Sequence, residues 1–290
     1  DKSLFFVDLV HNQSFNLFRL RNLNAAASYP INDPDNVTVR TPAEADASRP
    51  IPIVNGSYAV INGEQVNGVA RNIVMTESAG QSRYYAASFN LQKDRGENDQ
   101  FSYLLNYTLS YLENNTEDIN FRAMDANNFT AEWGPSINDR RHIINGVINY
   151  FPTKNLSVTV ATLLQSGQPI NRIPDATIYG TTDLNGDGAS FGDAYVGNSD
   201  RFPGESRNND RLPWSNNFDL GVQYDFPVGN SKLELRADIF NIFNIQNLSG
   251  YSNNATQSNQ IQVGPKSSGV LVRRNAGAPR QFQFGLRYAF

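Results

Sequence analysis

Two short stretches hold residue types whose spacing could do chemistry. In "DLNGDGASFGD", Asp183, Asn185 and Asp187 stand at positions 1, 3 and 5 of a calcium loop, and Gly188 supplies the sharp turn at position 6. A hard cation wants several oxygens on a chain that curls around it. Asp193 falls one place before the bidentate acid such a loop needs, where Ala194 stands instead, and no helical pattern flanks the stretch. Structural calcium is therefore weighed against a Gly- and Asp-rich surface turn, and no other cofactor is implied. The second stretch is Asp139, Arg140, Arg141 and His142, mixed charges at the head of an alternating segment. Such a cluster suits the tethering of neighbouring loops.

Catalysis is not expected. The two histidines, His11 and His142, are too few for a His-rich metal site, and no G-x-S-x-G elbow or Gly-rich phosphate loop precedes a helix. The absence of cysteine excludes disulfides and thiolate chemistry. A net charge of −4 gives no pointer to nucleic acid as a partner. Trp133 and Trp214 fit loop anchors at an interface better than ligand contacts. N-x-(S/T) sequons, among them those at Asn36, Asn55, Asn106, Asn114, Asn128, Asn155, Asn247 and Asn254, reflect an Asn-rich composition, and Asn106 and Asn155 fall on or beside predicted strands.

The elements that must position these residues have period two. "RQFQFGLRYAF" sets Phe282, Phe284, Leu286, Tyr288 and Phe290 on one side and Gln281, Gln283, Gly285 and Arg287 on the other. The same alternation runs through "NFDLGVQYDF", "SKLELRADIF", "NLSVTVATLLQ" and "QFSYLLNYTLSY". It is less clean in "RYYAASFNLQ" and "HIINGVINYF", and "SLFFVDLV" is apolar on both faces except at Asp8. No segment holds a helical stripe for three turns, and no apolar run reaches the ~18 to 20 residues of a membrane helix. The fold class is all-β and antiparallel, with strands of about the ten residues that a tilted barrel strand uses to cross a bilayer.

Connections decide between a soluble sandwich and a membrane barrel. "KDRGEND", "PTK" and "PVGN" are short and turn-like, and they alternate with long polar stretches at 23–82, 112–140, 167–214 and 245–279. Compact soluble domains seldom carry several long irregular connections, whereas outer-membrane barrels have short periplasmic turns and long extracellular loops. Aromatic residues gather near strand ends, as interfacial girdles require: Phe101 and Tyr111, Tyr150 and Phe151, Tyr224 and Phe226, Tyr288 and Phe290. These features predict a transmembrane β-barrel in the bacterial outer membrane, with lipid as a partner of the apolar face.

Several segments in order resemble the carboxyl-terminal part of TonB-dependent outer-membrane receptors, in particular the Oar-like group. "VDLVHNQSFNLFRLRNLN" is similar to that group's opening strand and its exit. "GQSRYYAASFNLQKDRGENDQFSYLLNYTLSY" resembles its hairpin and following strand, and "GPSINDRRHIINGVINYFP" its D-R-R-H strand start. "LLQSGQPI" resembles a strand exit, "ADIFNIFN" the F-N-L-F-N run near the end of many such receptors, and "APRQFQFGLRYAF" the terminal strand. The resemblance covers nearly the whole chain.

It implies that residues 1–290 supply about eight strands of a barrel of roughly 22. The plug domain, and the TonB box through which TonB would act, have no counterpart in this chain. "DKSLFFVDLV" is accordingly expected to continue from something longer, with the remainder of the barrel and plug as partners. Phe282, Phe284, Leu286, Tyr288 and Phe290 resemble the signal that barrel-assembly machinery recognises. The implied function is ligand uptake, or Oar-like protein export, by the parent protein. The alternative is a structural or ligand-binding barrel component of a larger outer-membrane complex. The ligand is not legible in the loops.

Overall fold

A computed structural model describes residues 3–31, 33, 35–53, 58–61, 63–67, 72–117, 121–188, 200–249, 261–263, 270–271 and 275–290. Eight long strands form one sheet: β1 (Ser3–Asn22), β2 (Val74–Lys93), β3 (Phe101–Asn114), β4 (His142–Tyr150), β5 (Leu156–Gln165), β6 (Ser215–Val228), β7 (Ser231–Phe240) and β8 (Gln281–Ala289). They pair in chain order, each antiparallel to the next. Among the described residues, β1 pairs with β2 and, through a single bridge between Leu20 and Arg122, with the β3–β4 connection, and β8 pairs with β7 alone.

The eight strands correspond to the eight alternating segments of the sequence. Register carries the alternation across the sheet. One row runs Val7, Phe89, Tyr107, Ile144 and Leu164, and another runs Tyr103, Ile148, Val160, Leu220 and Ile239 to Phe282. A one-residue slip in any strand would turn its apolar set to the other side. The opposite face carries hydrogen bonds between side chains: Asn90 Nδ2 donates to Asp8, Asn106 Nδ2 to Asn90, and Thr159 Oγ1 to Asn149. Near the β6–β7 turn, Lys232 pairs with Asp225 and Glu234 at 2.8 and 2.9 Å.

Burial is inverted relative to a water-soluble sandwich. Among the described residues, the buried hydrophobic side chains are Ala26, Ala45, Phe121, Ala123, Ile137, Ile170, Ile173, Leu184, Phe202 and Leu212, and every one lies in a connection. The apolar face of the sheet is bare, with Leu9 80%, Phe284 79% and Leu286 70% exposed. Water-soluble monomers rarely expose contiguous apolar patches beyond a few hundred Å². Lipid is the solvent that matches such a face, because it removes the cost of apolar hydration while the sheet satisfies its own backbone.

Connections alternate as the sequence predicts. Residues 94–100, 151–155 and 229–230 make short turns at one end of the sheet, and the last is a two-residue hairpin. Gly229 there takes φ +60°, the left-handed conformation that the first position of a type II′ turn requires. Two details differ from the expectation. β2 begins at Val74 and not after residue 82, and it pairs with a β1 that runs on to Asn22. A register shift between Ser14 and Leu17, with Asn16 at φ +59°, interrupts the alternation and hides this upper half from a period-two reading. The long connections are also not irregular throughout. They hold a short helix α1 (Pro42–Ala47) closed by a Thr41–Glu44 capping box, a single turn α2 (Ala176–Tyr179), and small strand pairs such as Pro169–Ile170 with Asp210–Arg211.

Candidate functional site

The long connections fold against one another into a cap at one end of the sheet, held by buried ion pairs. Arg207 is fully buried and meets Glu117, itself 2% exposed, at 2.5 Å. Glu117 also accepts hydrogen bonds from Ile137 N, Ser136 Oγ and Asn114 Nδ2 at 3.0, 2.9 and 3.1 Å. Arg207 Nε donates to the Glu132 carbonyl at 2.8 Å, and the Glu132 carboxylate takes Arg201 Nη1 at 2.8 Å and the Met124 amide at 3.0 Å. Each buried charge thus has a counter-charge and fixed dipoles, without which its desolvation would cost several kcal/mol. Together these bonds join the β3–β4 connection to the β5–β6 connection.

The four residues read from the sequence as a tether divide between two places. Asp139, 1% exposed, lies inside the cap. Its carboxylate accepts the Leu112 amide at 2.9 Å and pairs with Arg211, with Arg141 farther off at 3.6 Å. Arg140 Nη2 donates to Gln168 Oε1 at 3.4 Å, and burial, followed by the nearby Arg211 charge, lowers its pKa from the usual arginine value. Arg141 instead reaches the rim of the apolar face and covers the Tyr111 ring. His142 is on that face too, its Nδ1 3.0 Å from Tyr107 Oη and its ring stacked on Trp214. His11 stacks on Tyr85 at 4.6 Å. Both histidines therefore sit with aromatic rings at the membrane boundary and not in the cap. Trp133 donates to Glu113 at 3.1 Å below the cap.

Asp183, Asn185 and Asp187 lie on one turn, the first two buried and Asp187 half-buried, and Asp193 lies outside the described residues. Asp183 Oδ2 accepts Gly188 N at 3.1 Å and Asn185 Oδ1 accepts Asp187 N at 2.8 Å. Asp200 accepts the Leu184 and Asn185 amides at 2.6 and 3.1 Å, and Asn185 Nδ2 donates to it at 3.0 Å. Two guanidiniums occupy loop carbonyls: Arg40 Nε donates to Asn185 O, and Arg49 Nη2 to Asp187 O at 3.0 Å. Among the described residues, no three His, Cys, Asp or Glu side chains are grouped as a metal site would need.

Beside this turn is a cavity of about 360 Å³ walled by three connections, with Ala26, Tyr29, Arg40, Met124, Arg201 and Phe202 among its lining. Its size falls in the range of small-molecule sites. Arg40 lies over the Tyr29 ring, 4.9 Å from its centroid, and the buried Arg201 Nε has no hydrogen-bond partner. Its walls are polar and apolar in about equal measure, so a ligand there would be held by hydrogen bonds as well as by contact. Sequence reasoning misses this cavity, because its residues come from segments up to about 180 positions apart with no shared period.

A sheet that is apolar on one face and hydrogen-bonded by polar side chains on the other, with folded long loops at one end and tight turns at the other, defines a bacterial outer-membrane β-barrel protein. The chain belongs to the outer membrane beta barrel domain family, which matches residues 2–283. Among solved structures it is similar to BauA, the ferric preacinetobactin receptor of Acinetobacter baumannii, at 14% identity and TM-score 0.43, covering 81% of this chain and 25% of that one. It is similar also to the siderophore receptor PiuA of Acinetobacter baumannii, at 10% identity and TM-score 0.42, covering 73% and 22%. A third is the outer membrane transporter YddB of Escherichia coli, at 10% identity and TM-score 0.49, covering 100% and 30%. The chain thus spans less than a third of the length of each. No curated protein matches it.

Proposed function

We propose that this chain forms part of the wall and extracellular cap of a TonB-dependent receptor barrel. On this reading the parent protein takes up a ligand, or exports a protein as in the Oar-like group, across the outer membrane, and these residues carry no catalysis. The supporting observation is a row on the polar face that is largely apolar. Leu4, Gln92, Leu104, Val147 and Ala161 stand in register, with Leu104 54% exposed and Val147 37%. A water-filled lumen gains nothing from such side chains, whereas a plug packed inside the barrel buries them.

Photocrosslinking in cells tests this. With a photoreactive side chain at Leu104 or Val147 of the full-length protein, the expected adduct is intramolecular, to a segment outside residues 1–290, and TonB is required for ligand entry. Adducts to a separate protein instead would favour the second reading, a barrel component of a larger complex. Absence of any adduct at either position would remove the plug from the account.

We further propose that the Asp183–Gly188 turn is closed by protein groups and needs no calcium, since side-chain oxygens of Asp183 and Asn185 already accept amides of the turn and the Arg40 and Arg49 guanidiniums bring positive charge onto its carbonyls. Calorimetric titration with Ca²⁺ is expected to give no saturable heat. Saturable heat that Asp187→Ala abolishes would reinstate the ion.

A further inference from the structure

The apolar face has a groove where one row lacks bulk. Leu9 of β1, Ala87 of β2 and Leu109 of β3 stand in register, and the Ala87 methyl leaves a hollow between two leucines. Tyr85 and Tyr111, in register one row toward the cap, frame its extracellular end. The cavity measures about 570 Å³ and is apolar along its length. Its one strong cation stands at that end: Arg141, whose guanidinium lies 4.1 Å from the Tyr111 ring centroid.

Arg141 is incompletely neutralised. Its side chain is 34% exposed, and its buried Nε has no hydrogen-bond partner. The Asp139 oxygen nearest to it, 3.6 Å from Nη2, is already paired with Arg211. Glu113, the other nearby carboxylate, accepts Tyr111 Oη at 2.9 Å and Trp133 Nε1 at 3.1 Å, and stands in register with Arg83. A guanidinium is a planar donor fork that matches phosphate oxygens, and near the headgroup boundary its bonds are less screened than in bulk water.

An apolar slot that is continuous with the lipid-facing surface and ends at a cation of this kind fits one occupant. We propose that the groove is a fixed site for a phosphate-bearing acylated glycolipid of the outer leaflet, with an acyl chain across Ala87 and the phosphate on Arg141. The aromatic pair Tyr85 and Tyr111 sets the depth at which the headgroup begins, as interfacial tyrosines do. His11, stacked on Tyr85, stiffens that rim. The site differs from the cap cavity in both location and ligand, and it does not depend on TonB.

Native mass spectrometry of the full-length protein in mild detergent tests the proposal, with bisphosphorylated lipid A and its dephosphorylated form as the two probes. The wild type is expected to hold the phosphorylated form about tenfold more tightly, the scale of one charge-assisted hydrogen bond. Arg141→Ala should erase that preference, and Arg141→Lys should restore part of it. Ala87→Phe fills the slot without touching the guanidinium and should weaken both lipids alike. Folding of each variant is read from the heat-dependent electrophoretic shift of the barrel. Equal binding of the two lipids by the wild type would overturn the proposal, as would a preference that survives Arg141→Ala. Should Arg141→Ala fail to fold, wild-type binding by both Arg141→Lys and Ala87→Phe would overturn it equally.

Discussion

Replacing Arg207 with alanine is expected to unfasten the extracellular cap while leaving the sheet in the membrane. Arg207 is fully buried, and its guanidinium binds Glu117, the Asn114 side chain and the carbonyls of Asn114, Glu132 and Gly134. Removing one member of a buried pair strands the other charge, at a cost of about 3–5 kcal/mol. These bonds tie two connections together, so the loss should appear locally. Trypsin should cut within residues 121–141 and 200–214 of Arg207→Ala under conditions that leave the wild type intact, while strand segments stay protected in both. The double variant Glu117→Met with Arg207→Met should be less sensitive than either single change, since it leaves no unpaired charge. Wild-type resistance in Arg207→Ala would mean that the cap is held by something else.

The second large effect is expected at Phe284. This side chain lies in the middle of β8 on the apolar face, 79% exposed within the described chain, and stands in register with Ala237 of β7. Arginine there should destabilise the inserted protein by about 2–4 kcal/mol, the cost of a cation near the bilayer midplane. Gln283→Arg, one residue away, points to the opposite face in register with Asp238, and should cost less than about 1 kcal/mol. Urea unfolding of each variant in lipid vesicles measures the difference. Equal costs at the two positions would remove the assignment of faces.

The sheet was legible because its physics is local. Period-two alternation in β3, β5, β6, β7 and β8 needs no knowledge of distant residues, and the short turns announce themselves by Gly, Pro, Asp and Asn. β4 reads poorly because Ile143 and Val147 place apolar side chains on the polar face. The upper half of the β1–β2 hairpin was lost at the Asn16 bulge. α1 spans six residues, too few for a helical stripe, although its T-P-A-E start carries the capping box.

The cap was not legible, because nothing local marks a polar residue as buried. Arg207 and Glu117 are 90 positions apart, and Arg201 and Glu132 are 69 apart. Each reads as an ordinary surface charge until the fold brings its partner. The cluster Asp139 to His142 was visible as a run of charges. Its division into a buried carboxylate and two rim side chains follows from the strand geometry at His142, which alternation alone does not supply.

The central claim is that the sheet stands in the membrane with its apolar face on lipid. Residues 1–290 hold no cysteine, so single nitroxide labels can be placed along β3 with no competing thiol in this part of the chain. Power-saturation measurements in native outer membranes should show high oxygen and low nickel-chelate accessibility at residues 103, 105, 107 and 109. Oxygen accessibility should be lower at 102, 104, 106 and 108, with a period of two maintained across the band. Labels at all eight positions with equal accessibility to the nickel chelate, or with the two sets exchanged, would contradict the account.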